Sequence, residues 1–259
     1  MRAEEPEEPE DTADAGGSVE MRRAVEIADL SFTWGRSKPP VLHIERFLID
    51  EREALFIKGA SGSGKSTLLG LITGILVPQQ GAVTILDERV SELGGTDRDR
   101  YRADHIGYIF QMFNLIPYLS VIENVVLPCR FSPVRKNRAL RQAASLEEEA
   151  LRILSRLNLV NNGLLNKPVV ELSVGQQQRV AAARALIGSP ALVIADEPTS
   201  SLDADQRELF LELLFDECSK TGATLIFVSH DANLAPLFNR VVDIAEINRA
   251  APAGGEGRI

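Results

Sequence analysis

Residues 59–66 read Gly-Ala-Ser-Gly-Ser-Gly-Lys-Ser and match the spacing of a phosphate-binding loop, G-x-x-x-x-G-K-[ST]. Glycine adopts backbone conformations that other residues avoid, so successive N–H groups can turn towards one anion. Lys65 is then expected to reach the β- and γ-phosphates, and the hydroxyl of Ser66 to bind Mg²⁺. An apolar run before the loop and a helical pattern after it are typical of this site. The residues predicted to bind the nucleotide here are Gly59, Ser61, Gly62, Ser63, Gly64, Lys65, Ser66 and Thr67.

Two adjacent carboxylates follow a second apolar run. Leu192–Ala195 is followed by Asp196 and Glu197. Asp196 can hold Mg²⁺ through water, and Glu197 can face an attacking water as a general base. An acidic turn after a buried strand is also common, so this interpretation depends on the loop at 59–66. His230 follows a third apolar run, but a lone histidine is more often structural than functional.

Short apolar runs predict the strands that position these groups. Most of them lack polar alternation, which favours strands buried on both faces of a largely parallel sheet. After Ser66, leucine and isoleucine recur at helical spacing, which predicts a helix that ends before Pro78. Strands alternating with helices predict an α/β fold. The predicted strands are Val25–Leu30, Ala54–Ile57, Ala82–Leu86, Ile106–Phe110, Leu192–Ala195 and Thr224–Val228.

Residues 112–170 interrupt this alternation. The stretch Arg138–Leu157 carries apolar residues at helical spacing and predicts one long helix, followed by Asn161-Asn162-Gly163. We therefore expect a helical subdomain inserted between two halves of the sheet. The folded domain is expected over 23–248, with a disordered acidic tail at 1–22 and a flexible tail at 249–259.

Composition excludes several other classes of protein. The chain has 259 residues and a net charge of −9, of which −7 belongs to residues 1–20, leaving −2 for the remainder. A nearly neutral domain argues against a nucleic-acid partner bound through a broad basic face. The two cysteines, Cys129 and Cys218, lack metal-ligand spacing and indicate a reduced, cytosolic chain. No apolar run approaches the 18 residues of a membrane span, and the acidic N-terminus is unlike a signal peptide.

The segment between the phosphate loop and the acid pair identifies a family. Leu172-Ser173-Val174-Gly175-Gln176 opens a helical stretch that extends to Ile187. With the two motifs above, it resembles the L-S-G-G-Q signature of ATP-binding cassette (ABC) ATPases. Further landmarks of that family occur in order, and the resemblance covers about residues 25–245. It implies a P-loop NTPase core with a mostly parallel sheet, an antiparallel β part at the N-terminal side and an inserted helical subdomain. The further landmarks are Trp34, Gln111, Ser201-Leu202-Asp203 and His230.

The resemblance also implies roles for individual residues. Trp34 would stack on adenine, although a core aromatic is the alternative. Gln111 would join the Mg²⁺ and water shell, and His230 would hydrogen-bond the γ-phosphate and hold the attacking water. Catalysis would then involve Glu197, His230 and Gln111, and the metal would be bound by Ser66, Gln111 and Asp196. In this family two cassettes close head to tail on ATP, and the residues that would contact the nucleotide held by the second subunit are Ser173, Gly175, Gln176 and Asp203.

One residue departs from the signature. The first glycine of the L-S-G-G-Q pair is Val174 here. A β-branched residue does not easily adopt positive φ. Either the backbone at Val174 is therefore ordinary, or the segment is remodelled. Gly175, the second glycine of the pair, is retained.

The stretch Gly107–Val125 is similar to the branch that contains lipoprotein-releasing (Lol-type) and macrolide-exporter ATPases. Those proteins pair with an integral membrane permease. The resemblance therefore implies a permease partner and a cytoplasmic location, peripheral on the inner face of the cell membrane. It also implies a second ATPase subunit, for which a second copy of this chain is the preferred interpretation and a different chain is the alternative. Phe113–Leu119 would then either line a groove for a permease helix or form part of the helical core. Two alternatives remain open: a soluble ABC ATPase in DNA repair or translation, and a regulatory cassette that binds ATP without turnover.

Overall fold

A computed structural model describes residues 22–35, 39–159, 163–200, 202 and 204–250. The predicted tails lie almost entirely outside these ranges, as does Asp203, so its predicted contact with nucleotide stays a prediction. The domain boundaries likewise stay a prediction. Within the described ranges, no helix has both the length and the hydrophobicity to span a bilayer.

A parallel five-stranded sheet forms the centre of the fold, with strand order β5-β6-β7-β3-β8. Its inner strands are buried on both faces, which explains their apolar sequences without alternation. Because parallel strands end at the same edge, the residues that follow β3, β6 and β7 are brought together. This sheet confirms the predicted fold class. The strands are β3 (Ala54–Lys58), β5 (Ile106–Ile109), β6 (Leu192–Asp196), β7 (Thr224–Val228) and β8 (Arg240–Asp243).

An antiparallel sheet of three strands lies on the N-terminal side, as the resemblance implied. It has the order β2-β1-β4 and comprises β1 (Arg23–Phe32), β2 (Leu42–Asp50) and β4 (Gln80–Ile85). Strand β2 was not predicted, because exposed Glu45 and Arg46 interrupt its alternation of buried and exposed residues. Strand β8 was also missed, since it is short and only Val242 within it is buried.

Eight α-helices pack on these sheets within the described part of the chain. Three of them, α3 to α5, lie between β5 and α6 in sequence, which confirms the helical insertion. The predicted single helix over Arg138–Leu157 is wrong. The chain leaves the helical path at Leu140, and a new helix starts after Ser145, whose hydroxyl accepts a hydrogen bond from the N–H of Glu148. The helices are α1 (Lys65–Ile72), α2 (Gly95–His105), α3 (Val121–Phe131), α4 (Pro133–Ala139), α5 (Leu146–Arg156), α6 (Val174–Leu186), α7 (Ala204–Thr221) and α8 (Ile244–Ile247).

The core consists of two apolar clusters, one on each face of the parallel sheet. Successive residues of β3 point to opposite faces: Phe56 joins the cluster with α3, α5, α6 and α7, whereas Leu55 and Ile57 join the cluster with α1 and the antiparallel sheet. Phe56 also stacks on Phe227 of β7, with ring centroids 6.0 Å apart. Burial on both faces makes the sheet a rigid base for the loops at its carboxyl edge.

Candidate nucleotide-binding site

The loop between β3 and α1 has the conformation that its glycines predict. Gly64 precedes α1 with φ of +100°, and a Cβ there would lie 2.9 Å from Leu42 Cδ2. A Cβ on Gly59 would lie 2.5 Å from Ile244 Cγ2. Larger residues at either position would push the loop away from β2 or α8. The Nζ of Lys65 donates to the carbonyls of Gly59 (2.7 Å) and Ala60 (2.9 Å), which holds the ammonium group over the loop.

A cavity of about 580 Å³ opens over this loop and collects most of the predicted site residues. The residues come from the phosphate loop, from the ends of β5, β6 and β7, and from the segment after β1. The buried hydroxyl of Ser63 has no hydrogen-bond partner among the described residues, so the loop retains one unused polar group. Gly59 and Ser63 belong to the loop but do not line the cavity. The lining residues are Trp34, Val41, Ser61, Gly62, Gly64, Lys65, Ser66, Thr67, Gln111, Asp196, Glu197 and His230.

The backbone turns sharply after β6 and separates the two carboxylates. Glu197 has a φ of +48°, and its N–H donates to the carbonyl of Val228 on the neighbouring strand (2.9 Å). The Oε2 atom of Glu197 lies 2.9 Å from Nδ1 of His230 and accepts from the hydroxyl of Ser229 at 3.3 Å. These contacts fix the Glu197 carboxylate at the carboxyl end of β7, facing the cavity.

Asp196 has a different environment. Its Oδ2 accepts a hydrogen bond from the hydroxyl of Tyr108 on β5, at 3.5 Å. Burial raises the pKa of Asp196, and the negative charge of Glu197 raises it further, against the opposing effect of Lys65. Burial also raises the pKa of Tyr108, so its phenol stays a proton donor. A divalent cation at Asp196 would offset both the desolvation and the repulsion, so the carboxylate fits the predicted Mg²⁺ site together with the hydroxyl of Ser66.

Trp34, the single tryptophan of the chain, is not a core residue. Its side chain is 58% exposed and lines the cavity. Trp34 packs on Phe32 in an edge-to-face arrangement, with ring centroids 5.2 Å apart and an angle of 88° between the ring planes. A large exposed ring held beside a phosphate loop is suited to stacking on a base.

The signature-like segment forms the N-terminus of α6, away from this cavity. Ser173 Oγ accepts from the N–H of Gln176 (3.3 Å), and Gln176 Oε1 accepts from the N–H of Ser173 (2.9 Å). This reciprocal capping box fixes the start of the helix. Val174 is the first helical residue, so the backbone there is ordinary and the segment is not remodelled. Neither Ser173, Gly175 nor Gln176 lines the cavity of the same chain.

Two side chains that contact the segment around Asp196 and Glu197 were not predicted, because they are distant from it in sequence. Gln178 is buried in α6, and its amide donates to the carbonyl of Pro198, immediately after Glu197. Tyr108 reaches Asp196 across 88 residues of sequence. A buried glutamine in an apolar helix and a tyrosine in an apolar strand are the only signals that the sequence offered.

A second cavity, of about 550 Å³, lies between α2, β5, α3 and α6. Asn114 lines this groove, whereas Leu115 packs against the core, so Phe113–Leu119 contributes to both. Arg184 holds the segment by donating to the carbonyls of Phe113 and Asn114, each at 2.6 Å. Buried Asn124 holds its other end through the backbone of Ile116 and neighbouring carbonyls.

A phosphate loop after β3 and an acid pair after β6, placed at one edge of a parallel sheet that carries a helical insertion, define a P-loop NTPase. A family model described as ABC transporter matches residues 42–200, and the chain therefore belongs to the ABC transporter ATP-binding family.

Relatives and solved structures agree with this assignment. An uncharacterised ABC transporter ATP-binding protein of Mycobacterium tuberculosis is 38% identical over 225 residues, covering 85% of this chain and 86% of the relative. The lipoprotein-releasing system ATP-binding protein LolD of Hydrogenovibrio crunogenus is 37% identical over 212 residues, covering 82% and 88%. A dimeric structure of the ATP-binding cassette MJ0796 of Methanocaldococcus jannaschii, in a post-hydrolysis state with ADP and Pi, aligns with a TM-score of 0.75 at 34% identity, over 90% of this chain and 100% of that one.

Proposed function

We propose that this chain is the ATP-hydrolysing subunit of a membrane transport complex, in which ATP-driven dimerisation of two cassettes moves a permease. The observation that carries the proposal is the pairing of Glu197 with His230 beside the phosphate loop, with Nδ1 and Oε2 2.9 Å apart. The likeness to a lipoprotein-releasing ATP-binding protein and to a cassette dimer with ADP and Pi supports the same function.

Glu197 acts as the general base in this proposal. Ser229 and His230 hold one carboxylate oxygen, which leaves the other to accept a proton from the attacking water. Lys65 and the loop N–H groups bind the phosphates, and Gln111 lines the cavity between the loop and β5. When bound, Mg²⁺ would neutralise phosphate charge, and Ser66, Gln111 and Asp196 are the residues predicted to hold it.

The second cassette completes the site. Since Ser173 and Gly175 lie outside the cavity of their own chain, they are available to the nucleotide held by a partner copy. Ser173 Oγ already accepts a hydrogen bond from Gln176, so its own proton is left to donate to a phosphate oxygen. The N-terminus of α6 adds a partial positive charge at the same point. ATP would thus join the two copies, and its hydrolysis would release them.

The groove between α2, β5, α3 and α6 is the proposed docking site of the permease. Its lining includes the apolar side chains of Ile106, Phe110 and Phe131, and Arg184 connects it to the segment that follows Gln111. Movement of a permease helix there is transmitted to the cavity through that segment. The chain would accordingly work on the inner face of the cell membrane, in the cytoplasm, without a nucleic-acid partner.

Substitution of the proposed base tests this function. In the complex assembled with its permease, Glu197→Gln should keep ATP binding and lower turnover by about 10²- to 10⁴-fold, which is the usual contribution of a general base. The control is Glu147→Gln, the same chemical change at an exposed position of α5, and it should leave turnover unchanged. Near-normal turnover of Glu197→Gln would show that another group activates the water. A wild-type complex that binds ATP without hydrolysing it would favour a regulatory cassette.

A further inference from the structure

The end of α3 and the whole of α4 present an unusual surface. Residues 124–146 contain five lysines and arginines and no acidic residue. This contrasts with the net charge of −9 of the chain. Exposed cations and exposed apolar residues are interspersed there. We call this surface the cationic patch; its members are Arg130, Phe131, Pro133, Val134, Lys136, Leu140 and Arg141.

The orientation of α4 is fixed by its buried side. Arg135 is fully buried and donates to the carbonyls of Ile187 (2.8 Å) and Ala185 (2.7 Å) at the end of α6. Ala139, four residues later, is buried on the same side. Lys136 and Leu140 therefore point outwards together, as expected for residues four apart on a helix. The patch is a stable face of the fold rather than a set of independent side chains.

The cations of the patch are not neutralised by the fold. Within the described part of the chain, Arg130, Lys136 and Arg141 form no ion pair. Carboxylates near this region have other hydrogen-bond or ion-pair partners, although Glu123 also attracts Arg130 at longer range. These contacts join Glu123 to the N–H of Ser120 (2.9 Å), Asp104 to the hydroxyl of Ser132, and Glu149 to Arg152 (2.7 Å).

The apolar members make a membrane surface a better partner than an acidic polypeptide. Phe131 is 72% exposed and Leu140 is 41% exposed, although both are large apolar side chains. Cations that flank exposed aromatic and aliphatic groups are the pattern of surfaces that lie in the headgroup region of a bilayer. Phe131 also lines the groove proposed for the permease, so the patch adjoins the face that would meet the membrane subunit.

We propose that the cationic patch binds the surface of an anionic phospholipid bilayer. The cations contact headgroup phosphates, and Phe131 and Leu140 enter the interfacial layer. Because electrostatic screening limits charge effects to about 8–10 Å at physiological salt, the acidic remainder of the chain does not cancel this local attraction. The contact would orient the cassette beside its permease. It does not depend on ATP hydrolysis and can fail or succeed independently of the proposed function.

Cosedimentation of the purified full chain with vesicles, without permease, tests the proposal. Binding is expected to vesicles containing phosphatidylglycerol and not to phosphatidylcholine alone, and it should weaken as salt is raised. Each surface cation contributes about a fivefold gain, so Lys136→Gln with Arg141→Gln should weaken binding about 30-fold. The matched control, Arg22→Gln with Arg46→Gln, removes two exposed cations elsewhere and should leave binding unchanged.

Several results would overturn the proposal. One is equal loss of binding in the patch and control variants, and another is equal binding to both kinds of vesicle. Complete competition by soluble polyglutamate, at the same concentration of negative charge as the vesicles, would show that the patch takes an acidic polypeptide instead. Competition by inorganic phosphate at that concentration would indicate a simple anion site. ATP turnover of the Lys136 and Arg141 variants without vesicles should equal that of the wild type, which excludes misfolding.

Discussion

Arg135 provides the sharpest test of how the helical insertion holds α6 in place. Its guanidinium is buried, and no carboxylate pairs with it in the described structure; backbone carbonyls of Ile187, Ala185, Arg184 and Ile106 surround it instead. A cation at this position also interacts favourably with the C-terminal end of the α6 dipole. Arg135→Met keeps most of the side-chain volume and removes the charge and all donors.

The expected loss of stability in Arg135→Met follows from two of the hydrogen bonds that the guanidinium donates. The hydrogen bonds to Ile187 (2.8 Å) and Ala185 (2.7 Å) are charge-assisted and worth about 1.5–3 kcal/mol each. Burial of the charge opposes this gain, since it lowers the pKa of Arg135 to about 10. We expect Arg135→Met to lower the free energy of unfolding by about 3 kcal/mol, which is about 6–12 °C in Tm for a domain of this size.

Equilibrium urea unfolding measures the change, with Lys136→Met as the control. Lys136 is the adjacent residue with the same charge but an exposed side chain, so its substitution should change stability by less than about 0.5 kcal/mol. Arg135→Lys adds a pH test. A buried lysine has a lowered pKa and holds fewer protons when folded than when unfolded, so the stability of Arg135→Lys should rise with pH in the alkaline range, whereas that of Arg135→Met should not.

The reasoning fails if Arg135→Met is as stable as Lys136→Met. That result would mean that water or a backbone shift satisfies the carbonyls at the end of α6 without the guanidinium. A large loss of stability in both variants would mean that α4 as a whole is marginal, and that the hydrogen bonds of Arg135 are not the specific cause.

Two further predictions concern the cavity. Asp196→Asn should raise the urea midpoint of the nucleotide-free chain at neutral pH while abolishing Mg²⁺-dependent turnover, because burial and Glu197 raise the pKa of Asp196 and so disfavour its ionised form. The gain in stability should vanish as pH falls and the wild-type carboxyl becomes protonated; a gain that persists in acid would contradict this explanation. Fluorescence of Trp34, the single tryptophan, should change on adding ATP and not on adding ribose triphosphate. Unchanged emission at saturating ATP would remove Trp34 from the base-stacking role.

The sequence predicted those parts of the fold in which local pattern and final environment agree. Strands β6 and β7 are apolar throughout because both faces of the central sheet are covered, and their runs were recognisable without any partner. Strand β2 was missed because Glu45 and Arg46 break its alternation at the exposed side of the antiparallel sheet. The break between α4 and α5 was missed for the opposite reason: the apolar spacing continues through it, and only the N-cap of Ser145 marks the new helix.

Some features of the candidate site could likewise be predicted from the sequence, and others could not. The loop residues are consecutive in sequence, as are the two acids, so residue type and spacing alone were sufficient to predict a phosphate site. The contacts from Tyr108 to Asp196 and from Gln178 to Pro198 join segments that only the folded sheet brings together. No local pattern encodes such contacts.

Val174 shows how a departure from a family pattern can be interpreted physically. A valine is poorly suited to a left-handed backbone, but the structure places it at the first position of α6, where the backbone is helical and the side chain is 52% exposed. The capping box between Ser173 and Gln176 forms around it without distortion. The substitution therefore leaves the path of the backbone unchanged and alters only the surface beside Ser173 and Gly175. If a second cassette closes on that surface, the valine side chain changes the shape of the interface, while the donors proposed to face the phosphate keep their positions.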